Sequence, residues 1–215
     1  MATAETLTGR LVGEGPELDQ LRESWDAFAV ATGSPFGAPD WALGWWRHMA
    51  PQGAVLAVVA VEEGSELVGL APFWASSRFG VTELRLLGGG WASRLDVLAK
   101  PGREADVAAV ITETLAGSPL RADAIRWEAV DAGSPWPALL ADSWPDGRGD
   151  RGKELSQRSA PLLHLKQDSF EEWFAERSGH FRRNMRRDRR QIEKKGASFR
   201  TSDRESLQRL SLIHI

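Results

Sequence analysis

The chain predicts a mixed α/β domain over its first two-thirds, and three observations carry that prediction. Residues 55–61, VLAVVAV, are continuously apolar and rich in β-branched side chains, the pattern of a strand buried on both faces. They run into Glu63-Gly64-Ser65-Glu66, where a Gly-Ser two-residue loop favours a primed hairpin turn because glycine accepts positive φ at its first position. Helix-period segments flank this hairpin on both sides in sequence, so further sheet and cover for both faces are at hand. Residues 67–74 return as the partner strand. Pro72 has no N–H to give a ladder, so pairing loosens there or that stretch lies on an edge.

In chain order, residues 6–12 read as a short strand. Residues 16–31 read as a helix with Pro16 tolerated in its first turn, and Leu18, Leu21, Trp25 and Phe28 form one apolar face. Residues 34–39 form a loop, and 40–49 a second helix carrying Trp41, Trp45 and Trp46. Those tryptophans suit core filling, a groove lining or a membrane interface. After the hairpin, residues 81–87 alternate as a strand, Gly88-Gly89-Gly90 breaks it, and 95–98 resume the sheet. Residues 103–116 form a helix with Val107, Val110, Ile111 and Leu115 on one side, 124–130 a strand, and 135–143 a short helix. The order is β-α-α-β-β-β-β-α-β-α, a first domain over residues 1–145.

Residues 146–161 are polar and rich in Gly and Arg, and read as a linker or an exposed hairpin. Residues 162–165 read as a short strand. Asp168 is placed to N-cap a long helix running to Lys195, with Glu171 and Glu172 complementing its start and Gly196 closing it. Phe170, Phe174, Phe181, Met185 and Ile192 make its apolar stripe. Residues 197–201 would be the next strand, so 162–209 reads as the start of a second, incomplete domain. Residues 210–215, LSLIHI, match one reading frame of the transposon mosaic-end sequence used in sequencing libraries. On that reading the natural protein continues differently beyond Arg209; the other reading is an ordinary apolar segment.

Composition narrows the class. The 215 residues include no cysteine, which excludes disulfides and thiolate metal sites. No apolar run reaches membrane-spanning length and no signal peptide is seen at the N-terminus, so a cytoplasmic location is expected. The net charge of −3 is unevenly spread: residues 177–195 carry nine Lys or Arg against Asp188 and Glu193. An acidic body with a basic segment suits an anionic ligand or partner surface.

Several landmarks fall in a telling order. They are Pro35-Phe36, Asp40-Trp41, Trp45-Trp46-Arg47-His48, Leu67-Val68-Gly69-Leu70-Ala71-Pro72-Phe73, Leu84-Arg85-Leu86-Leu87-Gly88, Leu95-Asp96-Val97-Leu98 and Phe181-Arg182-Arg183-Asn184-Met185-Arg186-Arg187. In these the chain resembles the two-domain GNAT-superfamily acetyltransferases of the cellulose-biosynthesis type, relatives of the Fem peptidyltransferases. The resemblance implies two GNAT-like domains, with the Phe181-Arg182-Arg183-Asn184 helix opening the second. It also implies acetyl-CoA or another acyl-CoA as cosubstrate, no metal, and an amine or hydroxyl acceptor, with a small molecule or saccharide as partner. The acyl-CoA site is then expected beyond this chain.

The residues themselves leave several readings open. Arg10-Leu-Val-Gly13-Glu14-Gly15 matches the Q/R-x-x-G-x-G/A turn on which GNAT enzymes hold pyrophosphate, but Pro16 removes an N–H, and Glu14, Glu17 and Asp19 would repel phosphate. Gly147-Arg-Gly149-Asp-Arg-Gly152 fits G-x-G-x-x-G without the flanking strand and helix that a dinucleotide site needs. Ser93, Arg94 and Asp96, beside the triglycine, are candidate acceptor-binding residues; alternatively, this is a bulged crossover whose Asp96 caps a neighbouring backbone. Arg182, Arg183, Asn184 and Arg186 are substrate-binding candidates, through guanidinium forks matched to phosphate or carboxylate. The same helix reads otherwise as a solvated face, or as a grip on an anionic polymer or nucleic acid. Nucleic acid is the weaker reading, given the acidic remainder and no base-reading motif. His48, His164 and His180 lack metal spacing, and no G-x-S-x-G elbow is present. No catalytic residue is named.

Overall fold

A computed structural model describes residues 6–154, 159, 161, 163–197 and 203. They fall into two compact units, Met1–Ala160 and Pro161–Ile215, each taken here by itself.

The first unit contains β1 (Leu7–Val12), α1 (Pro16–Ala31), a 3-10 turn (Pro35–Gly37), α2 (Pro39–Met49), β2 (Val55–Glu63), β3 (Glu66–Arg78) and β4 (Val81–Leu86). After these come β5 (Leu98–Ala99), α3 (Glu104–Ala116), β6 (Ala124–Arg126) and α4 (Trp136–Asp142). The sheet runs β1-β2-β3-β4-β6. It is antiparallel through β4, β6 returns parallel to β4, and β5 also pairs with β3. The mixed α/β class and the element order are those expected from the sequence.

β2 is buried on both faces, as its unbroken apolar run predicts. Ala57, Val59 and Val61 face α3 and α4; Leu56, Val58 and Ala60 face α1 and α2. The hairpin turn is Gly64-Ser65, with Gly64 at φ 61° and Glu63 opposite Glu66. Leu21, Trp25 and Phe28 of α1 are buried in the second cluster while Leu18 is half-buried. The Trp25 indole donates to Gly37 O at 2.6 Å, fastening α1 to the 3-10 turn inside the expected loop.

Helix α3 packs unusually close to the sheet. Gly9, Val61 and Gly69 form one row across β1, β2 and β3. A Cβ on Gly69 would lie 2.3 Å from Val107 Cγ1, and one on Gly9 would lie 2.1 Å from Thr114 Oγ1 and 2.8 Å from Val110 Cγ1. The two glycines therefore set the distance at which the helix sits.

Five expectations need correction. The strand expected over 124–130 stops at Arg126, because Ala129 takes a positive φ of 57° and its carbonyl leaves the ladder to accept from Leu95 N. The same bond keeps 95–97 out of the sheet, so β5 is only Leu98–Ala99. No strand forms at 163–165, and 148–154 pair with no strand. The single helix over 168–195 is two, α5 (Phe170–Ala175) and α6 (Gly179–Lys194). Ser178 Oγ accepts from Phe181 N, and this cap with Gly179 behind it starts a new helix. The cap of α5 is Ser169 rather than Asp168: its Oγ accepts from Glu172 N. Gly196, at φ 75°, follows α6 as expected. Residues 198–202 and 204–215, with most of the strand expected over 197–201 and the adapter-like string, lie outside the described residues; Ala197 is described and is not in a strand.

Replacing Gly69 with Ala forces a β-branched helical side chain or all of α3 to move. The expected cost is about 1–3 kcal/mol, read as a lowered urea midpoint. Gly44 within α2 has open space where a Cβ would go, so Gly44→Ala is expected to stabilise by about 0.5–1 kcal/mol. Equal effects of the two substitutions would refute the close seat of α3.

Candidate functional site

The site region arises from a break in one strand. β4 pairs with residues 73–78 of β3 and β5 with Gly69 and Leu70, on the edge of β3 away from β2. Between β4 and β5 lie residues 87–97, an excursion opposite only Ala71 and Pro72. Leu87 N donates to Pro72 O at 2.8 Å, but Pro72 has no N–H to return the bond. Pro72 is thus an interior residue of a long strand that terminates pairing on one side. The chain then turns away through Gly88 (φ 89°) and Gly90 (φ 82°), with Trp91 N and Ala92 N donating to Gly88 O.

Two side chains named from the sequence hold this excursion down. Asp96 Oδ1 accepts from Val97 N at 3.1 Å and from Ser134 Oγ at 3.0 Å, while Ser134 Oγ in turn accepts from Trp136 N at the start of α4. Arg94 pairs with Asp131 at 2.5 Å. Ser93 is exposed and has no hydrogen bond among the described residues. Asp96 therefore caps backbone, one of its two expected roles, and anchors the loop to α4. Burial pushes its carboxyl up to about 6, against the Ser134 and Val97 donors; Asp131 adds to the rise and Arg94 opposes it. Asp131 and Ser134 were not singled out from the sequence. Their only local mark is a turn-forming Asp-x-x-Ser-Pro run, since they meet the loop through the fold.

On the α1/α2 side of the sheet, Trp45 of α2 packs on Trp74 of β3 with ring centroids 5.7 Å apart. Beyond that contact the sheet face turns polar. Glu83 and Arg85 of β4, Arg126 of β6 and the following Glu128 project from it. Arg85 lies over the Trp74 ring at 5.6 Å, 2.5 Å from Glu83 and 3.7 Å from Glu128. Burial disfavours the Glu83 carboxylate, yet Arg126 and Arg85 together hold its pKa below the usual value. A Cβ on Gly88 would come within 2.7 Å of Trp41 Nε1, and one on Gly89 within 2.9 Å of Glu128 Oε2, so the glycines let the excursion lie against both.

In the second unit the other candidates share α6 but do not converge. Asn184 Nδ2 is 2.9 Å from His180 Nε2, and Arg186 lies over the Phe174 ring at 5.5 Å. Arg183 is exposed; Arg182 is half-buried, with a buried Nε that has no acceptor among the described residues. Arg187 and Arg189 pair with Asp188 and Glu193 of the same helix. The apolar stripe read from the sequence is exposed: Phe170 is 60% and Met185 45% exposed.

Neither strand-to-helix turn preceding α1 or α3 suits a pyrophosphate. Before α1, Arg10 pairs with Glu62, Glu14 accepts from the Trp46 indole, Pro16 opens the helix, and Glu17 and Asp19 occupy its first turn. Before α3, Arg103 is spent on Glu63 and Asp106, with Glu104 and Asp106 in the first turn. Hydrogen bonding to Arg103 holds the Glu63 carboxyl low despite some desolvation, so that pair stays ionised. Among the described residues no His, Asp and Glu group could hold a metal ion, and no helix is long and apolar enough to cross a membrane.

No family model and no curated protein matches the chain. Solved structures do. The ribosomal-protein-alanine N-acetyltransferase from Brucella melitensis biovar Abortus 2308 is 10% identical, with a TM-score of 0.42 over 74% of this chain and 99% of that one. An aminoglycoside acetyltransferase from an uncultured soil metagenomic sample, in complex with trehalose, is 12% identical, with a TM-score of 0.46 over 74% and 97%. Another aminoglycoside acetyltransferase of such origin is 18% identical, with a TM-score of 0.42 over 73% and 99%.

The raised Asp96 pKa fixes a sign. From its usual 3.8 up to about 6 the folded state holds a proton that the unfolded chain has released, so this group's contribution is full below 3.8 and is lost as pH rises through 6. Asp96→Asn keeps an oxygen for Val97 N and Ser134 Oγ but removes the charge. Its urea midpoint, relative to wild type, is expected to rise between pH 4.5 and 7; a difference constant over that range would exclude the raised pKa.

Proposed function

We propose that the protein is part of an acyl-CoA-dependent acetyltransferase, with the first unit a non-catalytic GNAT-like lobe. The supporting observation is the topology: a four-strand antiparallel run, β1 to β4, then α3 crossing back to lay β6 parallel to β4. The landmarks behind the family resemblance fall at its junctions. Pro35-Phe36 opens the 3-10 turn, residues 67–73 lie in β3, and residues 84–88 carry β4 into its break.

The turns of the first unit do not fit coenzyme A, since acids and a proline occupy the places where N–H groups would meet phosphate. On this reading the acyl-CoA cradle lies outside the first unit; among the described residues of the second unit no strand covers the exposed apolar stripe of α5 and α6. The reaction is acyl transfer to an amine or hydroxyl, in a cleft that orients the two reactants and polarises the thioester carbonyl. A saccharide of envelope polysaccharide metabolism is the acceptor and the cytoplasm the location that this reading favours.

A second reading has one observation of its own. Arg183 and Arg190 of α6 make no ion pair among the described residues, and so could grip an anionic polymer.

Calorimetry separates the two. Acetyl-CoA is expected to bind the product of the gene as read from genomic DNA through the codon for Arg209, and not this chain. Tight binding to this chain, or none to that product, would overturn the first reading. Salt-dependent binding of a 12-nucleotide oligothymidylate to this chain, with no acetyl-CoA binding by either protein, would establish the second.

A further inference from the structure

We propose that the step between α2 and the open face of β4 and β6 binds a saccharide, with indole faces as its wall and paired charges as its floor. The wall is Trp41 and Trp45, one helical turn apart on α2. Trp41 is 36% exposed, held edge-on by Phe36 at 5.2 Å and close to Gly88. The floor is Glu83, Arg85, Arg126 and Glu128. These four share a face because Arg85 is opposite both Trp74 and Arg126, while the intervening Leu84, Leu86, Ile125 and Trp127 pack into the α3/α4 cluster. Helices α1 and α2 cover β1 to β3 on this side, and the floor begins where that cover ends.

The chemistry of the floor selects the ligand. Two guanidiniums and two carboxylates within one network leave no net charge, so a phosphate, a sulfate or a nucleic-acid backbone gains nothing over water. Yet each group keeps capacity. Arg85 has five N–H donors, and the Glu128 side chain is 37% exposed and, among the described residues, held only by the 3.7 Å approach of Arg85. Donors and acceptors fixed side by side match vicinal hydroxyls, which give and accept at once. An indole face beside them matches the apolar C–H face of a sugar ring. The excursion 87–97 closes one end, and its glycines allow the approach to Trp41 and Glu128 that a side chain would block. The site differs from the Ser93, Arg94 and Asp96 set, whose polar atoms, apart from Ser93, are spent on pinning the loop.

This inference names a place for the sugar in the acyltransferase reading, but it rests on first-unit residues alone. Its readout is binding without coenzyme A, so either idea can fail by itself. The test titrates the uniformly 15N-labelled chain with cellotetraose, chitotriose and maltotetraose, with sulfate and a 12-nucleotide oligothymidylate as controls. The expected result is a saturable shift of the Trp41 indole resonance with at least one oligosaccharide, at dissociation constants on the order of millimolar. Glu128→Gln, at a half-buried position, is expected to keep the dispersed spectrum and weaken binding about tenfold, and Trp41→Phe to do likewise. No saturable shift with any of the three sugars would overturn the proposal. Unchanged affinity in both variants, or a stronger response of the same resonances to sulfate or the oligonucleotide, would overturn it equally.

Discussion

The seat of α3 on Gly9 and Gly69 is the contact on which the rest of the first unit depends. A helix covering a sheet ordinarily stands off by the depth of two side-chain layers. Here hydrogen atoms replace one layer at two points of a single row, and Val107, Val110 and Thr114 drop into the space. That fixes the helix against β1 and β3 at once. Its outgoing end then sets where β6 can start, and β6 with the two residues after it brings Arg126 and Glu128 to the face beside β4. A few ångströms of slack under α3 would misplace the whole polar floor.

Pro72 supplies the second constraint. By denying β3 one N–H it divides what would be a continuous neighbour into β4 and β5, and the eleven-residue excursion between them gives the sheet a feature at mid-strand. The excursion is not loose. Asp96 ties it to Ser134, Arg94 ties it to Asp131, and Leu95 N takes Ala129 O. A break in a ladder has thus become a shaped rim, which is where a fold of this kind can add specificity without disturbing its core.

Much of this was legible in the sequence because it is local. The double-faced burial of β2, the Gly64-Ser65 turn, the start of α1 at Pro16 and the stop at Gly88 follow from patterns a few residues wide. Partners distant in sequence were not legible. Nothing local tells Asp96 that Ser134 will donate to it, or Arg85 that Glu128 will lie beside it; the parallel return of β6 decides both. The ends of short elements failed for a related reason: β5 and β6 are cut where Leu95 N and Ala129 O prefer each other. The division of α5 from α6 was readable in principle, because Ser178-Gly179 is a cap signal, but the continuous arginine pattern masked it. Of the candidates, Asp96 proved to support the loop, while the α6 residues stayed dispersed along one helix.

The placement of β1 has a consequence for synthesis. This strand leaves the ribosome before β2, and its partner residues 58–63 follow only after two helices. The β2–β3 hairpin closes through two residues and can form as soon as it emerges, whereas β1 must wait for its neighbour. Its make-up suits the wait. Only Val12 is fully buried at the end, and Thr8, Gly9 and Arg10 keep the nascent segment from offering a greasy edge to other chains.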